Sequence, residues 1–188
     1  MKYQSQRLRL REFQADDFPL FYSVFSNTPV MQYAWIDQYT RESDAEPHFQ
    51  KILLHNQLPP EIRPAYEFAV FLNDSDTFIG YADIEVHIRN SSGGVGEIGY
   101  FLLPEFWGQG YATEISQKLT EICFTKLCLH RVEARCHANN QKSEQVMKKC
   151  GMTKEGEFRK VRYKNEHWDD ELHYSILIEE WQYSNKTE

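Results

Sequence analysis

Charged and apolar residues alternate from 7 to 13 (RLRLREF), the period-two pattern of a half-exposed strand. Asp16 and Asp17 then precede Phe18-Pro19-Leu20-Phe21-Tyr22, which predicts a short helix to about Ser26 with proline in its first turn and acids at its positive end. Residues 27–38 are expected as loop. Met31, Tyr33, Trp35 and Ile36 are apolar for a wet loop, so they either pack on the domain edge or wall a cleft. Phe49, Ile52 and Leu53 predict a second helix over 42–58, with Pro47 starting or bending it. The proline-rich link at 58–64 is no domain boundary, because too little chain precedes it to stand alone. Three strands are expected next, over 66–71, 77–88 and 97–102. Turn-forming residues at 73–76 and 90–94 make them antiparallel neighbours in a meander.

Ile115, Leu119 and Ile122 then recur at helical spacing, predicting a helix from Thr113 to about Leu127, and RVEARC predicts a strand over 130–136. Strand, helix, strand implies a right-handed parallel crossover. The next helix is expected over about 141–150, with Asn140 as its N-cap, Gly151 just past its end and Lys148-Lys149 in its last turn. Strands over 153–161 and 171–178 close the chain around an exposed link at 164–167, and residues from about 181 are expected to fray. These elements make one α/β domain over 1–188, a mixed sheet with helices on both faces.

The chain is organised around residues 96–123, a strand, a glycine turn and a helix start. The turn reads Trp107-Gly108-Gln109-Gly110-Tyr111-Ala112. Glycines let backbone N–H groups converge, and the first helical turn leaves its own N–H groups unpaired at the positive end of the dipole. A diphosphate fits such a place. The alternative is a tight turn that only feeds a buried helix. A Walker loop would need Gly-Lys-Ser/Thr, and the dinucleotide fingerprint fails at Thr113, so neither nucleotide motif applies.

The 188 residues carry a net charge of −7, so a global basic field that would hold nucleic acid is absent. The acidic balance is compatible with a cationic substrate. Cys123, Cys128, Cys136 and Cys150 form no C-x-x-C pair and are expected as buried free thiols. The histidines form no H-E-x-x-H or compact ligand set, so no metal is expected. No apolar signal core or membrane-length stretch is present, which points to a cytoplasmic protein without a membrane partner. Exposed strand edges and the surplus of Phe and Tyr permit a homodimer.

The glycine turn resembles the acyl-coenzyme A loop of the GNAT superfamily of N-acetyltransferases, whose pattern is Arg/Gln-x-x-Gly-x-Gly/Ala; Trp107 replaces the usual Arg or Gln. Asn140-Gln141-Lys142-Ser143 followed by Lys149-Cys150-Gly151-Met152 is similar to the family's N-x-x-S…K-x-G-F, with Met152 for Phe. The phrase WGQGYATE and the opening Gln6-Arg7-Leu8-Arg9-Leu10-Arg11 resemble the branch of ribosomal-protein N-terminal acetyltransferases. The resemblance covers about 6–178. It implies a mostly antiparallel sheet of about seven strands with a splayed parallel pair, flanked by about four helices, and acetyl-CoA as the donor.

The resemblance also implies site residues. Trp107, Gly108, Gln109, Gly110, Tyr111, Ala112 and Thr113 would hold the diphosphate. Phe101, Leu102 and Leu103 would pair with the pantetheine arm, a backbone N–H near Leu102 would serve the thioester carbonyl, and Asn140 and Ser143 would bind the arm. Glu97, on the strand before the loop, and Glu85, on the neighbouring strand, are the candidate bases or amine-recognition groups; exposed strand carboxylates without a role are the plain alternative. Where related bacterial N-terminal enzymes keep a proton-donating tyrosine, this chain has Met147, which leaves Ser143 as the polar candidate for protonating the thiolate. His167-Trp168-Asp169-Asp170 would overhang the acceptor or form a wet turn. The implied reaction is acetyl transfer to a protein amino terminus. The alternatives are the same chemistry on a small amine (polyamine, amino sugar or amino acid), the polyamine being favoured by an Asp- and Glu-lined cleft and a protein end by an open groove with peptide-like backbone partners, and a cofactor-binding or sensing module without turnover.

Overall fold

The computed structural model describes residues 1–184. The chain runs β1 (Lys2–Gln4), β2 (Leu8–Glu12), α1 (Phe18–Phe25), α2 (Thr28–Met31), α3 (Glu42–Gln57), β3 (Ala65–Leu72), β4 (Phe78–Asn90), β5 (Gly93–Leu102), α4 (Tyr111–Thr125), β6 (Arg131–His137), α5 (Gln141–Lys149), β7 (Thr153–Lys164), β8 (His167–Leu177) and α6 (Ile178–Ser184). The strands form one sheet in the order β1-β2-β3-β4-β5-β6-β8-β7. Every neighbouring pair is antiparallel except β5 and β6. No helix among the described residues is long and apolar enough to cross a membrane.

Among the described residues there are eight strands rather than about seven, and six helices rather than about four. The additions are elements too short or too polar to give a periodic signal. β1 pairs with β2 through three mostly exposed residues. α2 is a single turn inside the stretch expected as loop, capped where the Asn27 side chain accepts from the Val30 N–H at 3.3 Å. α6 replaces the start of the expected frayed tail, because Trp181 packs on Phe124 with centroids 5.4 Å apart; residues 185–188 lie outside the described part. β7 and β8 are longer than expected. Their turn is only Asn165-Glu166, both at positive φ (50° and 61°), the conformation a two-residue hairpin turn requires. Cys123 and Cys136 are buried as expected, whereas Cys150 at the end of α5 is only half-buried and Cys128 lies exposed in the turn after α4.

Each face of the sheet carries its own core. On one, Leu8, Leu10, Phe68, Val70 and Ile84 pack against Ile115, Leu119 and Ile122 of α4. On the other, Phe13, Ala69, Phe71 and Tyr81 meet Phe21 and Phe25 of α1 and Phe49 and Ile52 of α3. Phe21 stands 4.5 Å from Phe25 and 5.4 Å from Phe49 by ring centroids, an edge- and tilt-packed aromatic group. Between these layers β5 and β6 pair only at Val95, Gly96 and Glu97, opposite Arg131, Val132 and Glu133. Beyond Glu97 the two strands no longer pair with each other, although β5 stays on β4 to Leu102 and β6 on β8 to His137, so they part in the middle of the sheet.

Candidate functional site

The glycine turn stands at the far end of the parting. Gly108 (φ 74°) and Gly110 (φ 83°) are both left-handed, which a side chain would strain. Gly110 is the N-cap of α4, and no side chain among the described residues makes a cap hydrogen bond to this helix, so its first amides are left without a side-chain acceptor. A Cβ built at Gly108 would meet nothing within 4 Å. The turn is therefore open, and its uncapped N–H groups suit a diphosphate. Arg7 braces it from the other end of the chain: its guanidinium donates to the Gln109 carbonyl (3.0 Å) and to Glu114 (2.7 Å), and lies 4.5 Å from the Tyr111 ring centroid. Glu114 also accepts from Ser5 Oγ and the Arg7 N–H, both at 2.7 Å, and these donors hold its carboxyl below the usual range against the opposing effect of burial. Trp107 Nε1 donates to the Leu102 carbonyl at 2.7 Å, and the Lys142 ammonium rests 5.4 Å from the Trp107 ring centroid. A cation thus stands beside the position where Trp107 departs from the family pattern.

Along the parting, Leu103 N–H donates to Ile79 of β4 at 3.0 Å, and Phe101 is paired with Tyr81. Strand alternation therefore turns the backbone groups of Tyr100 and Leu102, not those of Phe101 and Leu103, toward the gap. The Leu102 carbonyl is held by Trp107, leaving its N–H to the gap. From α5, Asn140 Oδ1 caps the Ser143 N–H at 3.2 Å. Ser143 Oγ lies 3.2 Å from Tyr100 Oη, the donor direction being open to either hydroxyl. Burial pushes the Tyr100 phenol up to about 12, so it keeps its proton at neutral pH. Met147 is buried in the core.

The opposite face of the same strands is acidic. Tyr81, Asp83, Glu85 and His87 alternate onto one side of β4, and Glu97 lies opposite Glu85 on β5. Glu97 is clamped by Arg135, Nε to Oε1 at 2.9 Å and an Nη to Oε2 at 2.7 Å. Glu85 is exposed, 3.7 Å from His87 Nε2. Glu133 completes a set with His87 and Glu97 whose ligand atoms lie within 4.8 Å of one another, a spacing a cation could use. Two arginines already occupy its carboxylates, Arg135 on Glu97 and Arg131 on Glu133 (2.7 Å). A cavity of about 280 Å³ opens beside them, lined by His48, Lys51, His55, Glu67, Asp83 and Glu85 among others. Glu67 accepts from or donates to His55 Nδ1 at 2.9 Å, and burial raises its carboxyl. Asp83 is raised further, first by burial and then by Glu85, Glu67 and Glu97 around it.

The loop after α2 walls this face. The Lys164 ammonium donates to the carbonyls of Met31 (2.8 Å), Ala34 (3.2 Å) and Ile36 (2.9 Å), and Arg162 to that of Tyr33 (2.7 Å). Trp35 lies under the Arg162 and Arg135 guanidiniums, at 4.4 and 5.5 Å from its ring centroid. In the last hairpin Asp169 meets His137 at 3.2 Å while Trp168 stays exposed. Sequence reasoning missed Asp83, although its step of two from Glu85 puts both on one face. It also missed Tyr100, whose partner is 43 residues away, and the bracing by Arg7 and Arg135, which sequence does not signal.

Residues 7–153 match the family described as "Acetyltransferase (GNAT) domain". An uncharacterized N-acetyltransferase of Bacillus subtilis, YnaD, is 36% identical over 181 residues, spanning 96% of this chain and 99% of that protein. Two solved structures share the fold with a TM-score of 0.81 each. A spermidine N-acetyltransferase of Vibrio cholerae in complex with CoA and spermine is 21% identical, covering 95% of this chain and 99% of that one. A ribosomal L7/L12 alpha-N-protein acetyltransferase in complex with coenzyme A is 24% identical, covering 96% and 99%.

Proposed function

The chain belongs to the GNAT acetyltransferase family and is an acyl-CoA-dependent N-acetyltransferase with acetyl-CoA as donor; we propose that its acceptor is a small amine carrying at least one further positive charge. The observation that carries this is the cavity on the acceptor face, where Glu67, Asp83 and Glu85 are set against one lysine, Lys51, and three histidines, His48, His55 and His87, and where Asp83 has none of them as a bonded partner. A monoamine, once its one ammonium has given up the proton that must leave before attack, would leave those carboxylates facing one another. A second ammonium on the substrate relieves that repulsion and gains charge-assisted hydrogen bonds. Fold relatives of this chain include proteins named for spermidine and for a ribosomal protein amino terminus, so the fold does not separate the two acceptors, and it is the acidic lining that supports the charged small amine.

Bound acetyl-CoA supplies the thioester. In this reading the backbone from Trp107 to Thr113 holds the diphosphate, with Lys142 adding charge beside it. The Leu102 N–H, with the Tyr100 backbone, binds the acyl arm and polarises its carbonyl. Asn140 positions Ser143, and Ser143 with the Tyr100 hydroxyl returns a proton to the departing thiolate, a role Met147 has no group to fill. Glu97, neutralised by Arg135, orients the acceptor face, while the exposed Glu85 recruits the cation.

The test is thiol release from acetyl-CoA across a panel of polyamines, monoamines, amino sugars, amino acids and short peptides with free amino ends. The highest kcat/KM is expected with diamines and polyamines, decreasing as salt screens the cleft. Preference for peptides would replace this acceptor with a protein amino terminus. Acetyl-CoA binding without thiol release to any amine would leave a sensing module.

A further inference from the structure

Asp83 is set apart from every other carboxylate on the acceptor face. Glu97 is held by Arg135, Glu133 by Arg131, Glu67 by His55, and Glu85 has His87 at 3.7 Å. The Asp83 side chain makes no hydrogen bond or ion pair among the described residues, yet lies among all of these. Glu85 and Tyr81 flank it on β4, Glu67 stands opposite on β3 and Glu97 approaches from β5; α3 brings His48, Lys51 and His55 into the same cavity. Its position is also specific. Its register partner is Gly99, two residues beyond Glu97, the last residue of β5 still paired with β6. The side chain lies across that glycine so closely that a Cβ there would come within 2.6 Å of Oδ1. Gly99 therefore gives Asp83 access to the point where β5 and β6 have just parted.

We propose that Asp83 receives the acceptor ammonium and takes its first proton, delivering a neutral amine to the thioester at the parting of β5 and β6. This rests on the acceptor reading above. One proton passes from R–NH3⁺ to the Asp83 carboxylate and on to water. The amine nitrogen then bonds to the carbonyl carbon, the C–S bond breaks, and its electron pair leaves on sulfur. The second nitrogen proton, lost as the amide forms, ends on the thiolate as CoA-SH. The net change is amide, thiol and one released proton. Burial among carboxylates holds the Asp83 carboxyl well above the ordinary range, which brings its basicity nearer to that of an amine.

Two measurements test this on the whole chain. Asp83→Asn is expected to lower kcat/KM for the best amine of the panel by about 100-fold or more and to remove the ascending limb of its pH profile, with acetyl-CoA affinity unchanged. Gly99→Ala, whose added methyl displaces the carboxylate, should lower turnover in the same direction while acetyl-CoA still binds. Independently of any acceptor, the carboxyl signal lost in Asp83→Asn should titrate well above the usual aspartate range by carbon NMR. Asp83→Asn with near-normal kcat/KM and an unchanged pH profile would overturn the proposal, as would an Asp83 signal titrating like an exposed aspartate. If no charged amine is accepted by the unaltered chain, the acceptor reading fails instead, and the NMR titration still decides whether Asp83 is the perturbed group.

Discussion

At Gly110 the backbone is left-handed and the space before it is bounded by the Arg7 guanidinium, 3.4 Å from where a Cβ would sit. Gly110→Trp therefore adds both strain, about 1–2 kcal/mol for an L residue in this conformation, and bulk in the hollow proposed for a diphosphate. Acetyl-CoA affinity should fall at least about tenfold, as expected when close-approaching N–H donors are obstructed, with the far-UV spectrum retained. An affinity equal to that of the unaltered chain would mean the diphosphate binds elsewhere. Residues of this kind are legible in the amino-acid sequence alone, because Gly108 and Gly110 announce a backbone need that no other residue meets. The charge around them is not legible in that way. Lys142 on Trp107 and Arg7 on Gln109 are meetings across 35 and 102 residues, and sequence spacing has no access to them. The same holds for Glu97: its strand position can be read, but its neutralisation by Arg135 depends on the register of β5 with β6.

Among the elements, long periodic ones matched expectation, and the discrepancies gathered where tertiary contact decides. α1, α3 and α4 lie within two residues of their expected bounds because their apolar stripes face a core. β7 is the opposite case. It is an edge strand, nearly all exposed, so hydrophobic alternation could not set its length; pairing with β8 does. Arg131 reaches from β6 across Ser175 of β8 to grip Glu155 of β7 with both of its Nη nitrogens. Arg131, with Ser175, lowers the Glu155 carboxyl from its ordinary value of 4.5 to about 2. A depressed carboxylate contributes stability that is present above the unfolded value and is lost as pH falls toward the folded one. Protection of the β7 amides, measured against their intrinsic exchange rates, should therefore fall between about pH 4.5 and 2 in the unaltered chain, beyond the change seen elsewhere. Glu155→Gln should exchange faster in β7 already at neutral pH and lack that extra acid step. Because the pair is half-exposed, 1 M salt should shrink the difference between the two proteins. An identical acid response in both would show that the bridge does not hold the edge.

Over the whole molecule, the proposed arrangement puts the sheet between donor and acceptor. The glycine turn, α4 and α5 belong to one core, and α1, the loop after α2 and α3 belong to the other, with the parted strands as the passage between them. The splayed pair was legible as a consequence of family resemblance, but the contents of the acceptor side were not, because that wall is assembled from the loop at 31–36 and a hairpin more than 120 residues later. Lys164 joins them. Its ammonium is the common donor to three loop carbonyls, and burial lowers its basicity against the opposing charge of Asp37, with no acidic side chain bonded to it among the described residues. Replacing it with methionine keeps the aliphatic stem and removes all three hydrogen bonds, so the loop carrying Trp35 should loosen against Arg135 and Arg162. Since the clamp is bonded to the acceptor-side loop and not to the glycine turn, Lys164→Met is expected to raise KM for the acceptor by roughly five- to tenfold, the effect of losing about 1 kcal/mol of positioning. The acetyl-CoA dissociation constant should stay the same. Equal losses on both substrates would mean that the two faces are coupled through the strands rather than divided by them, and that the loop supports the sheet instead of walling the cleft.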